Sequence, residues 1–499
     1  MVFLTILMIL ENQRWSKKMN KSVVKFIIGK ILRIEAILMI APLIVSFIYR
    51  EDGLYQFSFL IIIVVLFLIS YLLSRGEVNK RQMYAKEGFV IVSLSWILLS
   101  FFGSLPFVIS GDIPSLIDAF FETSSGFTTT GSSILTDVEA LAHSMLFWRS
   151  FTHLVGGMGV LVFALAVMPQ TGSESVHIMK AEVPGPVFGK VVAKLSASAR
   201  ILYLIYLSMA AIMVVLLLFG GMSFFDALLH AFGTAGTGGF GVRNGSILAY
   251  DSAYIDVILS VGMIFFGINF NLYYFILIGS VKEAFSSEEL RWYFTIIGSA
   301  VLLICLNIYT SYESTGTMLR DVFFSVSSII TTTGFSTVNF GNWPLFSKTI
   351  LLLLMFFGGC AGSTAGGLKI SRVALLTKSA IAEFKRMSQP NRMVVVKHEK
   401  KTIERDTIRS VVNYLLVYIV IFIGLVLIIS LDFNDFESAF SSIVATFNNI
   451  GPGLGQVGPM GGYSGLSNWS KILLSFVMIA GRLEIFPIII LFSSKTWKR

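Results

Sequence analysis

Asp118-Ala-Phe-Phe-Glu-Thr-Ser-Ser-Gly-Phe-Thr-Thr-Thr-Gly131 decides the fold, because its pattern returns three more times without a gap. The other copies are Asp226-Ala-Leu-Leu-His-Ala-Phe-Gly-Thr-Ala-Gly-Thr-Gly-Gly239, Asp321-Val-Phe-Phe-Ser-Val-Ser-Ser-Ile-Ile-Thr-Thr-Thr-Gly334 and Ser438-Ala-Phe-Ser-Ser-Ile-Val-Ala-Thr-Phe-Asn-Asn-Ile-Gly451. Each sets a small or β-branched residue (Ala119, Ala227, Val322, Ala439) twelve positions before a glycine. Apolar runs such as Phe89 to Ile109 and Ile201 to Gly220 flank the copies, and most approach the roughly 20 residues that a bilayer-spanning helix needs. The copies themselves are too short to cross, since a helix of about a dozen residues covers only about half of a 30 Å hydrocarbon core. With both flanking loops on one side, each copy must dip in as a short helix and return as an extended loop. Lipid tolerates such a backbone only where it is buried in protein or lines a water-filled path.

Composition agrees. The chain has 499 residues, 55% of them hydrophobic and 13% charged, with a mean hydropathy of +0.80, far too apolar for a soluble domain. The net charge of +9 does not mark a nucleic-acid binder, because the basic residues fall in alternate loops. Lys17, Lys18 and Lys21 precede the first span, and Arg75, Lys80, Arg81 and Lys86 follow the second. Further groups are Lys180 to Arg200, Lys282 with Arg291, Lys378 to Arg409, and Lys495 to Arg499. The intervening loops carry Asp112, Asp251, Glu313, Asp432 and Asp435. This places both termini on the cytoplasmic side. Cys305 and Cys360 lie in apolar stretches and offer neither a disulfide framework nor a metal site.

The expected architecture is therefore an all-α polytopic membrane protein: two N-terminal helices, then four repeats of span, pore hairpin and span in pseudo-fourfold arrangement around one pore, about ten full spans in all. Residues 1–18 read as a dispensable extension upstream of Met19, and 19–86 as the two extra helices. The repeats occupy 87–194, 195–290, 291–405 and 406–499, the third carrying an intramembrane loop at 358–367. Asp118, Asp226 and Asp321 stand where carboxylates would cap the short helices. His230 reads as a packing or hydrogen-bonding residue.

The glycine of each copy lies in a stretch comparable to the Thr-Val-Gly-Tyr-Gly filter of potassium channels. The four versions are Thr129-Thr130-Gly131-Ser132-Ser133, Thr237-Gly238-Gly239-Phe240-Gly241, Thr332-Thr333-Gly334-Phe335-Ser336 and Asn449-Ile450-Gly451-Pro452-Gly453. Backbone carbonyls in the first three residues of each version are the candidate ligands for K⁺. Short helices pointing their negative ends at the centre would add a favourable field. Gly358 to Gly367 holds five glycines in ten residues and would not sustain a helix, each glycine costing about 1 kcal/mol against alanine. Arg482 lies inside the last apolar span, where a charge faces a cavity or a partner; a pore role and an ion pair with Glu484 are both open.

Beyond the filters stand Gly156-Gly-Met-Gly159, Ala181-Glu-Val-Pro-Gly-Pro186, Gly358-Gly-Cys-Ala-Gly-Ser-Thr-Ala-Gly-Gly-Leu-Lys369, Asn448-Asn-Ile-Gly-Pro-Gly-Leu-Gly455 and Gly481-Arg-Leu-Glu-Ile-Phe486. With these motifs the sequence from about Met19 to its end resembles the Trk/Ktr/HKT superfamily of potassium transporters. The resemblance implies a pore-forming subunit of a bacterial potassium uptake system in the inner membrane. It also implies a homodimer and a cytosolic nucleotide-binding regulatory subunit forming a TrkA-like ring, with K⁺ and lipid as the other partners and no organic cofactor. It makes Gly358, Gly359, Gly362, Ser363, Thr364, Gly366 and Gly367 a gate beneath the filter, with Arg482 shaping the barrier to cations. In plant relatives a serine at the first filter glycine accompanies sodium transport, and this chain keeps Gly131. The alternative within the superfamily is a Na⁺- or H⁺-coupled K⁺ symporter of the Ktr-like kind.

Two other classes fit less well. A membrane-embedded enzyme needs a nucleophile–base pair or metal ligands at one depth, and the five histidines show no ligand spacing. An alternating-access carrier of organic solutes would favour inverted repeats, whereas these four are parallel. Gly453-Leu-Gly-Gln-Val-Gly458 matches a dinucleotide pattern but has no βαβ unit around it. The run Gly362 to Lys369 resembles a phosphate loop without its Gly-Lys-Ser/Thr ending.

Overall fold

The computed structural model describes residues 19–75, 85–159, 195–389, 391, 394–399 and 401–497. The 1–18 extension, the Ala181–Pro186 motif, and Lys80, Arg81, Lys180, Lys190 and Lys194 of the charge pattern lie outside the described residues.

Pro42 has no N–H for the carbonyl of Leu38, and the first span accordingly breaks at Met39 into α1 (Lys21–Leu38) and α2 (Ile40–Ile48). Helix α3 (Gly53–Ser74) returns beside α1. Its Leu60, Val64, Leu68 and Leu72 are each more than half exposed, an apolar stripe that belongs against lipid rather than water. Repeat 1 contains α4 (Ala85–Ser110), α5 (Leu116–Phe127) and α6 (His143–Gly157). Asn20 at the start of α1 donates its backbone N–H to Glu87 at the start of α4 (3.0 Å). At the other end, Tyr55 at the start of α3 donates to Asp112 just beyond α4 (3.0 Å). The up–down–up order of the first three spans follows from these two contacts.

Repeat 2 contains α7 (Leu195–Phe219), α8 (Phe224–Gly236), α9 (Ala253–Phe266) and α10 (Phe270–Leu277). Repeat 3 contains α11 (Glu288–Ile308), α12 (Thr315–Ile330), α13 (Leu345–Phe357) and α14 (Ile370–Ser388). Repeat 4 contains α15 (Arg405–Ile429), α16 (Phe436–Phe447), α17 (Asn468–Arg482) and α18 (Phe486–Phe492). Between α14 and α15 a small antiparallel hairpin pairs β1 (Lys397–His398) with β2 (Lys401–Thr402), so the basic stretch from Lys378 to Arg409 is a folded element and not only a solvated face.

Two expectations need correction. The expected spans are not all continuous helices among the described residues. Among the described residues six helices are long and apolar enough to cross a bilayer, or seven if the bent pair α9–α10 counts as one. In repeats 2, 3 and 4 the second span is interrupted: α9 and α10 meet at 90°, α13 gives way to a loop at Gly358, and α17 ends at Arg482 before the left-handed residues Glu484 and Ile485. Nor do the three aspartates cap the short helices. Ser115, Ser223, Ser314 and Asp435 do so, accepting the N–H of Asp118, Asp226, Thr317 and Ser438. Asp118 instead pairs with Lys471 (2.7 Å) and Asp226 with Arg243 (3.6 Å), while Asp321 sits a turn or more inside α12 beside Arg320.

Close helix approach positions α5. A β-carbon on Gly103 of α4 would stand 2.8 Å from Thr123 and 2.9 Å from Phe127, and the carbonyl of Gly103 accepts the indole N–H of Trp148 (2.9 Å). Gly103→Val should therefore cost about 1–3 kcal/mol of overpacking, read as a lower melting temperature in detergent; an unchanged midpoint would mean that this contact does not set the position of α5.

Candidate ion pathway

All four short helices end in the same hydrogen-bonded turn. The N–H groups of Thr130, Gly238, Thr333 and Ile450 reach back to the carbonyls of Ser125, Gly233, Ser328 and Ala445 at 2.8–2.9 Å. The preceding N–H groups of Thr129, Thr237, Thr332 and Asn449 bond to Gly126, Thr234, Ile329 and Thr446. This is the Schellman ending, which ordinarily has glycine at its left-handed position. Here that position is held by Thr129, Thr237, Thr332 and Asn449, with φ of 54°, 54°, 56° and 55°. A β-branched residue there is strained by about 1–3 kcal/mol, and such strain clusters at functional sites.

Two residues later Gly131, Gly239, Gly334 and Gly451 also take positive φ, between 77° and 101°. Their surroundings close a ring. A β-carbon on Gly131 would lie 2.1 Å from the carbonyl oxygen of Gly238, one on Gly239 1.9 Å from that of Thr333, one on Gly334 2.1 Å from that of Ile450, and one on Gly451 2.6 Å from that of Thr130. The loops thus abut in the order 1, 2, 3, 4 and back to 1, each glycine admitting the next carbonyl. On one side of the ring opens a basin of about 210 Å³, lined by the four glycines together with Ser132, Phe240, Arg243, Pro452 and Tyr463.

The position after each glycine differs. The Ser132 hydroxyl donates to the carbonyl of Gly451 (3.1 Å), as does Tyr463 (3.0 Å). Phe240 lies against His153 (4.2 Å between ring centres) and beneath the Arg149 guanidinium (3.5 Å). Phe335 packs against His230 (5.7 Å), whose Nδ1 bonds the carbonyl of Asp226 (2.7 Å). At the rim of the basin Asn244 ties the outer loops of repeats 1 and 2 together, donating to Asp137 (2.8 Å) and accepting from the N–H of Val138 (2.9 Å). That amide holds the Asp137 carboxyl below its ordinary range.

Three residues behind the ring escaped the sequence reading. Glu122 on α5 and Arg149 on α6 form a buried ion pair (2.6 Å). Glu122 also accepts from the Ser133 hydroxyl and the Ile134 N–H, and Arg149 donates to the carbonyl of Gly241 (3.0 Å), so one pair fixes the exits of two neighbouring loops. His153 bonds the Gly126 carbonyl through Nδ1 (2.7 Å) and accepts the Phe240 N–H at Nε2 (3.3 Å). The signal for Arg149 was a charge inside an apolar run, the same sign that singled out Arg482.

On the side away from the basin lies the segment 358–369 between α13 and α14. Gly358 adopts φ 71°, ψ −167°, a conformation open essentially to glycine alone. The Gly366 N–H donates to the Thr332 hydroxyl (2.7 Å), and a β-carbon on Gly366 would stand 2.4 Å from the carbonyl of Asn448, so the segment touches the filter stretches of repeats 3 and 4. Repeat 2 holds it through Gly267, which accepts from Cys360 (2.9 Å), and Phe266, which accepts from Thr364 (3.2 Å). Arg482 completes the circle, donating to the carbonyls of Thr364 (2.8 Å), Gly156 (2.6 Å) and Gly157 (2.6 Å). The carboxylate of Glu484 pairs with Arg372.

Residues 56–499 match the TrkH family, described as a cation transport protein. The chain belongs to the TrkH family. It is 36% identical over 479 residues to the Trk system potassium uptake protein TrkH of Salmonella typhimurium, covering 95% of this chain and 98% of that one. The Trk system potassium uptake protein TrkG of Escherichia coli is 31% identical over 485 residues, covering 95% and 98%. The crystal structure of the potassium transporter TrkH from Vibrio parahaemolyticus superposes with a TM-score of 0.87 at 32% identity, covering 96% of this chain and all of that one. This family member is thus a multi-pass membrane transport protein and not an enzyme.

Gly239→Ala sets a methyl group 1.9 Å from a backbone oxygen of the next loop, with no flexible side chain to yield. It is expected to abolish cation flux in proteoliposomes while the purified protein stays monodisperse; flux like that of the wild type would take the ring out of the pathway.

Proposed function

We propose that the protein is the pore-forming subunit of a bacterial potassium uptake system, conducting K⁺ through the ring of four loops. The observation that carries this reading is the closed contact between each glycine and the next loop's carbonyl, which gathers backbone oxygens of one depth from four directions. Stripping a small cation of water costs tens of kcal/mol in a low-dielectric medium, and oxygens placed in advance can replace the lost hydration. The ligands are backbone oxygens within Thr129–Gly131, Thr237–Gly239, Thr332–Gly334 and Asn449–Gly451. Four helix C-termini ending immediately before these loops add negative potential there. The potassium uptake named in the relatives' descriptions supports K⁺ as the cation.

The segment 358–367 is the gate in this reading. It lies against the inner end of the filter stretches and is held by main-chain hydrogen bonds that can exchange. Arg482 fixes its middle while setting a positive charge beside the path. In this reading the chain lies in a bacterial inner membrane with its basic loops and termini on the cytoplasmic side and the basin outside, as the positive-inside pattern supports. The family resemblance adds a homodimer and a cytosolic nucleotide-binding, TrkA-like ring that drives the gate.

Flux of K⁺, Na⁺ and an organic solute panel into proteoliposomes, with no Na⁺ or pH gradient, tests the reading. Passive K⁺ flux is expected, and strict dependence on a second gradient would favour coupled symport. Gly131→Ser sets a β-carbon 2.1 Å from the carbonyl oxygen of Gly238 and should lower flux as well as weaken selectivity for K⁺ over Na⁺ in the flux that remains, and an unchanged ratio would count against the assigned ligands. Deleting Gly362 to Gly366 should raise basal flux, whereas unchanged flux would remove the segment from gating.

A further inference from the structure

The hairpin β1–β2 sits far from the filter in sequence, yet it is joined to the intramembrane segment by two carboxylates. Glu399 occupies its turn in a left-handed conformation, with φ 47°. One oxygen of Glu399 accepts from the Ser287 hydroxyl (2.8 Å) and from the N–H groups of Glu288 (2.9 Å) and Glu289 (3.1 Å). It therefore caps the first turn of α11 from a distance of 110 residues, where amides lack helical partners and the dipole favours a negative charge. Glu288 returns the contact, accepting from the Glu399 N–H (3.3 Å) and pairing with Lys378 of α14, which also donates to the carbonyl of Lys397 (2.8 Å).

Glu289, the next residue of α11, is buried and faces the other way along the same line. Its Oε1 accepts the N–H of Ala361 (2.7 Å) near the start of the segment and the N–H of Ser371 (3.0 Å) just past its end. A single carboxylate thus fastens both ends of the loop whose Gly366 touches Thr332 of the filter. Two hydrogen bonds to one buried acceptor oxygen fix the distance between the two backbone positions that they join.

We propose that Glu289 and Glu399 are positioning residues that latch the intramembrane segment in its obstructing place, and that the hairpin is the handle through which the cytosolic side releases it. Displacing the hairpin uncaps the first turn of α11, frees the Glu289 side chain to move with that turn and slackens both ends of the loop together. The inference rests on the segment being the gate. Neither residue touches the ion.

The test measures K⁺ and Na⁺ flux into proteoliposomes holding the full chain without a cytosolic partner. Glu289→Ala and Glu399→Ala should each raise basal K⁺ flux by about tenfold, the shift expected from losing one charged hydrogen-bond acceptor. The K⁺ over Na⁺ ratio should stay as in the wild type. The double variant should exceed the stronger single one by less than about twofold, because both changes release one latch. Glu289→Gln, which keeps an acceptor oxygen, should restore most of the closure. Glu399→Ala lies outside the membrane core and keeps the test alive if Glu289→Ala does not fold. Unchanged flux in the Glu399 variant, additive effects, or raised flux with lost selectivity would overturn the latch. Deletion of Gly362 to Gly366 is run alongside. If the deletion opens the pore and the glutamate variants do not, the latch fails and the gate stands; if the deletion has no effect, the gate reading itself fails.

Discussion

Lipid offers no hydrogen-bond partner, so an extended backbone at mid-membrane depth persists only when protein or a transported ion supplies one. The contact of each ring glycine with the carbonyl of the next loop answers that constraint, and much of the architecture serves it. Short helices bring the chain to the right depth and stop there in a common turn. Threonine and asparagine accept a strained conformation at those turns, and the hydroxyl or amide of Thr332 and Asn449 finds a partner outside its own loop. In repeats 2, 3 and 4 the second helices are interrupted in the same region, where the segment 358–369 and Arg482 sit beneath the ring.

The ring is fourfold in its backbone and not in its supports. Equivalent positions on the four short helices hold Glu122, His230, Ser325 and Ser442, and each is buried in a different set of partners. Glu122 carries an ion pair to Arg149, His230 packs against Phe335, and Ser442 bonds within its own helix. Ser132 and Tyr463 converge on the carbonyl of Gly451, where repeats 2 and 3 use aromatic packing instead. Similar main-chain geometry is therefore held by ionic, aromatic and hydroxyl contacts in different quarters, and removing one support strains one side of the ring first.

Much of this was legible in the sequence, and for definite reasons. The repeat from Asp118 to Gly131 exposes the hairpins, since spacing between a small residue and a glycine survives where hydropathy says nothing. The glycine-rich run at 358–367 shows itself through helix propensity. The bend at Gly267 to Asn269 does not, because a glycine and two asparagines in a mainly apolar run are compatible with an unbroken helix, and the hydrogen bond from the Phe270 N–H to the Gly362 carbonyl is made only by tertiary structure. The capping serines were overlooked because the aspartates that follow them, three positions on at Ser115 and Ser223 and seven at Ser314, carry a stronger charge signal. Arg149 and Glu122 stand 27 residues apart, and nothing local announces that two charges in apolar surroundings will meet. Glu289 and Ser371 are likewise joined only by tertiary structure.

One covalent chain supplies all four quarters of the ring. A pore assembled from four identical subunits meets every mutation in quadruplicate, so a residue tolerable once is forbidden if it cannot be accommodated four times over. Here a bulky ring at Phe240, a hydroxyl at Ser132 and an imide at Pro452 coexist around a single axis. Chemistry can be adjusted by quarter steps, and the inner face of the ring need not look the same from any two directions.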